Sequence, residues 1–179
     1  MQALNGKEET MSSAFSESER ERVLAEVKSW FFDDYLQRFI EVVEHGGDGS
    51  FITDYWGAPL WVSIDDNPVV LARSPKDIGQ VIGPIHDRMH AAGYATTLVP
   101  DWQITPLNAR SATVRVIWSR RRKDLSEIER CAVTFTVMKR TGGWRSIAIQ
   151  QTSEVTADTL DEVWSTDTGK DAARKQAAR

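Results

Sequence analysis

The spacing of hydrophobic residues changes character at Tyr94. Before it, apolar side chains recur every three or four residues between signals that open and close helices. After it they crowd into runs rich in Val, Ile, Thr and aromatics, which is the composition of strands. Ser16 and Ser18 each have a glutamate three residues on, Glu19 and Glu21, the spacing at which side chains satisfy the first orphan amides of a helix. A helix begun there runs to about His45, where Gly46 and Gly47 supply the permissive backbone that a helix end favours. Ser74-Pro75-Lys76-Asp77 opens a second helix, with serine as cap, proline at the first position and an acid at the third, and Gly93 closes it.

Between the helices, the apolar runs Pro59 to Ile64 and Val69 to Ala72 flank Asp65-Asp66-Asn67-Pro68, a cluster of turn formers, and so predict a hairpin. Beyond Gly93 the strands are Tyr94 to Thr105, interrupted by Pro100, then Ser111 to Arg120, Ile128 to Lys139 and Trp144 to Thr152. Their turns are Asn108-Ala109-Arg110, Lys123 to Glu127 and Thr141-Gly142-Gly143. Long consecutive strands with short turns make an antiparallel meander. The expected fold is α+β: a strongly curved, mostly antiparallel sheet wrapped around the N-terminal helices, a shape that encloses a pocket.

Residues 1–15 hold only scattered apolar side chains and are expected to form a flexible leader, with the folded domain over 16–152. In the tail, 153–179, Val155, Leu160, Val163 and Trp164 can form one docking turn before a polar, frayed end. The 179 residues fit one domain with a real core. A net charge of -4 and a pI near 5.4 argue against a nucleic-acid partner, which needs a broad basic surface. No apolar stretch reaches the roughly 18 residues of a membrane span, and no exported leader is recognisable, so the expectation is a cytoplasmic protein without a membrane partner. Cys131 is the sole cysteine, which excludes an intrachain disulfide and a thiolate metal cluster.

Several residues combine reactive groups with apolar surroundings. A wheel at about 100° per residue places Val27, Trp30, Phe31, Asp34, Arg38 and Val42 on one face of the first helix. Asp34 there is either a base at a cavity wall or half of an i, i+4 ion pair with Arg38. Tyr35 borders that face and either points its hydroxyl into a cavity or packs as core. On the second helix His86 and His90 sit one turn apart beside the buried stripe, but no third ligand accompanies them, so no metal site is expected. His90 remains a proton-transfer candidate because imidazole titrates near neutrality. Alternation puts Asp65 on the face of Trp61 and Ser63, where desolvation would raise its pKa; the competing role is to cap the turn.

In Ile128 to Lys139 one face carries Cys131, Val133, Phe135 and Val137, and the other Ala132, Thr134, Thr136 and Met138. Neither is charged, which suggests a ligand or helix on one side and a second subunit on the other. Trp30, Trp56, Trp61, Trp102 and Trp118, with Arg38, His86, Thr134 and Thr136, are the candidate ligand contacts. Arg120, Arg121, Arg122 and Lys123 form a basic hairpin tip, which either grips a phosphate or carboxylate with arginine's bidentate fork or, the preferred reading, is a solvated turn balanced by Asp124, Glu127 and Glu129. Phosphate loops are absent, and no cofactor is expected.

The element order and the stretches Asp54-Tyr55-Trp56-Gly57-Ala58-Pro59-Leu60, Ala91-Ala92-Gly93-Tyr94, Glu127-Ile128-Glu129-Arg130 and Gly142-Gly143-Trp144-Arg145 resemble the nuclear-transport-factor-2-like superfamily. The branch they look like is the polyketide-cyclase-like (SnoaL-like) and ketosteroid-isomerase-like one, in a bacterial subgroup. The resemblance implies a cone of cystatin-like α+β type, open at one end to an apolar pocket, dimeric through the sheet, and active without a cofactor where it is active. It implies a base at Asp65, and sets Phe39 where the isomerases carry an oxyanion-stabilising tyrosine and Thr136 where they carry a second acid. Two readings follow. One is a proton-transfer isomerase, cyclase or dehydratase for an apolar small molecule, with Asp65 or Asp34 as base and His90 or Tyr35 as donor. The other is a non-catalytic ligand-binding or dimerisation module.

Overall fold

The structure, a computed structural model, describes residues 15–164; residues 1–14 and 165–179, where most of the leader and the polar end were expected, lie outside the described residues. The first helix is α1 (Glu17–Lys28), a π-helical segment Ser29–Tyr35 and α2 (Leu36–Glu44), end to end. Ser16 is its cap, and the Ser16 hydroxyl accepts from the Glu19 amide while Glu19 accepts from the Ser16 amide. Val23, Val27, Phe31, Tyr35, Phe39 and Val43 are buried at a spacing of four. On a regular α-helix each such step rotates the stripe by about 40°, so it would soon leave the core. The wider turn over Ser29–Tyr35 rotates it back. The regular wheel is corrected here: Asp34 and Arg38, which it set among core residues, are exposed.

A 3-10 turn, Gly49–Asp54, leads into β1 (Trp56–Ile64), which pairs with the short β2 (Val70–Ala72) as the expected hairpin. Helix α3 (Pro75–Ala91) starts at Ser74, where the cap and Asp77 bond reciprocally. Next come β3 (Tyr94–Leu98), β4 (Trp102–Asn108), β5 (Ser111–Arg122), β6 (Glu127–Arg140), β7 (Gly143–Thr152) and the single turn α4 (Leu160–Val163). Pro100 divides β3 from β4, and both pair antiparallel with β5, β3 along its C-terminal half and β4 along its N-terminal half.

The sheet order is β2-β1-β7-β6-β5-β3, with β4 also on β5. All pairings are antiparallel except β1 with β7, which joins the two ends of the chain's sheet region. Register shifts at Pro106/Asn108, Arg120/Arg121 and Thr136/Val137 bend the long strands, as extra residues in one strand of a pair do. The α+β architecture with a curved, unclosed sheet around N-terminal helices is the one read from the sequence. Phe31 anchors the concave side, stacked on Trp118 at 5.7 Å and edge-on to Phe135 at 5.1 Å. The convex side carries a second cluster, in which Leu160 covers Ile117 and Ala132, with Val155, Val163 and Trp164 around it. No helix among the described residues is long and apolar enough to cross a membrane.

Candidate functional site

The concave side of the sheet holds two adjoining spaces. The inner one, about 40 Å³, is walled by Tyr35 and Phe39 from the first helix, Ile82 and Ile85 from α3, and Trp56, Trp118, Phe135 and Ile149 from the strands. The outer one, a vestibule of about 600 Å³, opens where β1, β7 and α3 end and β6 begins, and is rimmed by Asp65, Arg88, Glu129, Arg130 and Glu154. Ile64, Ile85 and Gln151 line both, so the two spaces adjoin across these side chains.

Arg120 stands at the junction. It lines the inner space, and its partner Glu129 lines the vestibule. Glu129 divides its two oxygens, Oε1 to Arg120 and Oε2 to Arg88, the latter at 3.2 Å. The Arg120 side chain runs inward under Phe39, its guanidinium 6.0 Å from the ring centre. Burial works against its charge, but Cys131 and Glu129 more than offset that, and its pKa lies above the ordinary value. The same surroundings act on its neighbours. Burial pushes the Cys131 thiol up to about 11 and the Tyr94 hydroxyl up to about 12, with Tyr94 hydrogen-bonded to Thr97 at 2.6 Å. Tyr35 is raised further still by its burial. The Trp56 indole N–H lies near the Tyr35 hydroxyl yet has no acceptor at hydrogen-bond geometry among the described residues.

His86 sits behind this wall, edge-on to Phe39 at 5.1 Å and stacked on Phe51 at 5.7 Å. Burial, then the Arg120 charge, lowers its pKa to about 4, so it is a neutral imidazole at physiological pH. Neither ring nitrogen has a partner among the described residues.

Of the other residues singled out in the sequence, Tyr35, Trp56 and Trp118 meet in the inner space. Asp65 lies at the vestibule rim, exposed, with φ 49, and its carboxylate accepts from the Ser153 amide at 2.6 Å. His90 donates from Nδ1 to the Val43 carbonyl at 3.1 Å, and packs so closely on Gly46 (φ 66) that a Cβ there would come 2.8 Å from its Nε2. Asp34 accepts from the Tyr55 hydroxyl at 2.6 Å in a separate surface groove with Trp30 and Trp144. Arg38 pairs with Glu41 at 2.5 Å rather than with Asp34. Trp61 is 53% exposed, and Trp102 packs on Phe32 and under Lys28 at the sheet margin. Thr134 and Thr136 alternate with the buried Val133, Phe135 and Val137, and so point away from the concave side.

Arg120 and Glu129 were read from the sequence as parts of a hairpin tip, either gripping an anion or, the preferred reading, simply solvated. The signal lay in the alternation of β5: Ala112, Val114, Val116, Trp118 and Arg120 share one face, and all are buried. The true tip is the turn after Arg122, where Asp124 accepts from Ser126. Chemically, the inner space is apolar with donors at its wall, and no carboxylate among the described residues lines it. No cluster of three metal-ligating side chains occurs among the described residues.

The family described as NTF2-like protein (DUF6841) matches residues 25–154, the stretch that contains every wall of both spaces. No curated protein matches the chain. Among solved structures, an NTF2-like protein with a cystatin-like fold from Novosphingobium aromaticivorans shares 16% identity, with 82% of this chain and 94% of that one covered and a TM-score of 0.58. Yeast UBP3-associated protein BRE5 shares 11%, covering 71% and 95%, with a TM-score of 0.54. A Catenulispora acidiphila protein solved in complex with S-DNPA shares 11%, covering 75% and 95%, with a TM-score of 0.53. At these identities the likeness is one of fold.

Proposed function

We propose, since the chain belongs to the NTF2-like protein family (DUF6841), that it is a small-molecule pocket protein of the SnoaL-like type, receiving an apolar molecule through the vestibule. The observation that carries this is an apolar inner space adjoining the vestibule, with a buried, charged Arg120 on its wall. Replacing a buried charge with an apolar side chain of similar volume is often close to neutral, so a packed scaffold alone gives no reason to keep one. Structural neighbours illustrate both a ligand complex and a partner-associated protein on this fold, so the fold alone does not choose between them.

Binding is favoured over proton transfer, because the inner space offers donors and a neutral histidine behind its wall, not a placed base. A catalytic version would draw its base from Asp65, whose left-handed backbone at the rim is the kind of strain that functional positions hold. The uncharged outer row Thr113, Thr136 and Ala148, next to Trp61, is the surface a second copy would use for dimerisation through the sheet. Native mass spectrometry of freshly purified protein tests the main reading. A retained, non-covalent small molecule is the expected result. A protein that stays empty and binds no apolar probe overturns it.

A further inference from the structure

We infer that the molecule received by this pocket carries a carboxylate and that Arg120 binds it, an inference that rests on the pocket reading above. The inner wall has few polar groups. Thr97 is spent on Tyr94, and the Gln151 amide donates to Ser153 at 3.0 Å. What remains is the Tyr35 hydroxyl, which can donate or accept, the Trp56 N–H beside it, which has no acceptor at hydrogen-bond geometry among the described residues, and the fork of Arg120, 7% exposed. A buried donor left unpaired is costly, so this wall is complementary to a molecule that brings oxygen acceptors.

Charge narrows the class. Among the described residues Arg120 has one hydrogen-bond partner, Glu129, and that carboxylate is shared with Arg88. One anion between two guanidiniums leaves Arg120 able to take a second carboxylate with its planar fork. Glu129 would stay held by Arg88. The rim acids Asp65 and Glu154 are exposed to solvent and salt, which screen them, whereas Arg120 faces aromatic walls where its field is strong. Beyond Arg120 the inner space of about 40 Å³ has room for roughly three waters, so what enters there is slender and aliphatic. The class is a short, unbranched apolar monocarboxylic acid.

Isothermal titration of the full chain with hexanoate, hexanamide and hexan-1-ol tests this, together with Arg120→Met and Glu129→Gln. Hexanoate is expected to bind about tenfold or more tighter than hexanamide, as a charge-assisted fork requires, and Arg120→Met removes the difference. Glu129→Gln, which takes away the competing anion but keeps a hydrogen-bonding side chain, tightens hexanoate by roughly tenfold. Equal binding of hexanoate and hexanamide overturns the carboxylate inference and leaves the pocket reading standing. Failure of all three probes overturns both. Should Arg120→Met not fold, Glu129→Gln decides: unchanged hexanoate affinity in that variant means Arg120 is not the anion site.

Discussion

Two arginine–carboxylate clusters stand a few residues apart on the same sheet, Arg120 turned toward the inner space and Arg130, at the vestibule rim, turned toward the C-terminal segment, and they differ in what surrounds them. On the concave face Arg120, 8% exposed in its side chain, meets Glu129 beside an apolar cavity. Toward the C-terminal segment Arg130 meets Glu127 and Asp158, the latter 76% exposed, and also donates to the Ala157 carbonyl. The outer cluster ties the C-terminal segment to β6, a task that screened surface pairs perform at little cost. The inner one keeps a full charge out of water, which packing alone does not reward. The same kind of side chain thus serves attachment in one cluster and, on the reading proposed above, recognition in the other.

The largest expected break in this comparison comes from removing only the inner anion. Glu129→Ala leaves Arg120 buried without a carboxylate and lowers the unfolding free energy by about 3 kcal/mol in urea titration. Arg120→Met, which removes the charge and leaves Glu129 with Arg88, costs under about 1 kcal/mol. The reverse ranking would mean that Arg120 is held for stability.

Next in size is a pH effect at His86. Its folded pKa of about 4 lies below the ordinary 6.5, so between those values the unfolded chain binds a proton that the folded chain refuses. This contribution is complete above about pH 7 and declines as the pH falls toward 4, by on the order of 2 kcal/mol. A His86→Phe variant is expected to lose that part of the acid slope when melts are compared across the range. Identical slopes in the two proteins would contradict a neutral, buried His86.

Smaller than the effects at Glu129 and His86 is the one at the outer cluster. Arg130→Ala costs about 1 kcal/mol, yet it speeds amide exchange over residues 155–164 while leaving β5 and β6 protected. Equal loosening of the sheet would show that the two clusters are not separate in function.

Much of the fold was legible in the sequence because it is set locally. Ser16 and Ser74 cap helices through neighbours three residues away, and Pro100 breaks a strand wherever it stands. The π-helical segment was not, because it depends on Phe31 and Tyr35 finding Trp118 and Phe135, far away in sequence. The parallel pairing of β1 with β7, Trp61 with Ala148, leaves no local trace either. In the site, Tyr35, Trp56 and Trp118 could be named as aromatic candidates from their helix and strand positions. Arg120 was hidden by the basic run that follows it, which masked the alternation that turns it inward. Asp34 and Arg38 look central only on a helix of uniform pitch.

The central claim is that ligands enter the concave interior, and the tryptophans report on it directly. In an indole 15N–1H spectrum titrated with hexanoate, the resonances of Trp56 and Trp118, which wall the inner space, are expected to shift, while those of Trp61 and Trp102 outside it stay in place. Movement of Trp61 or Trp102 with Trp56 and Trp118 unchanged would contradict the account.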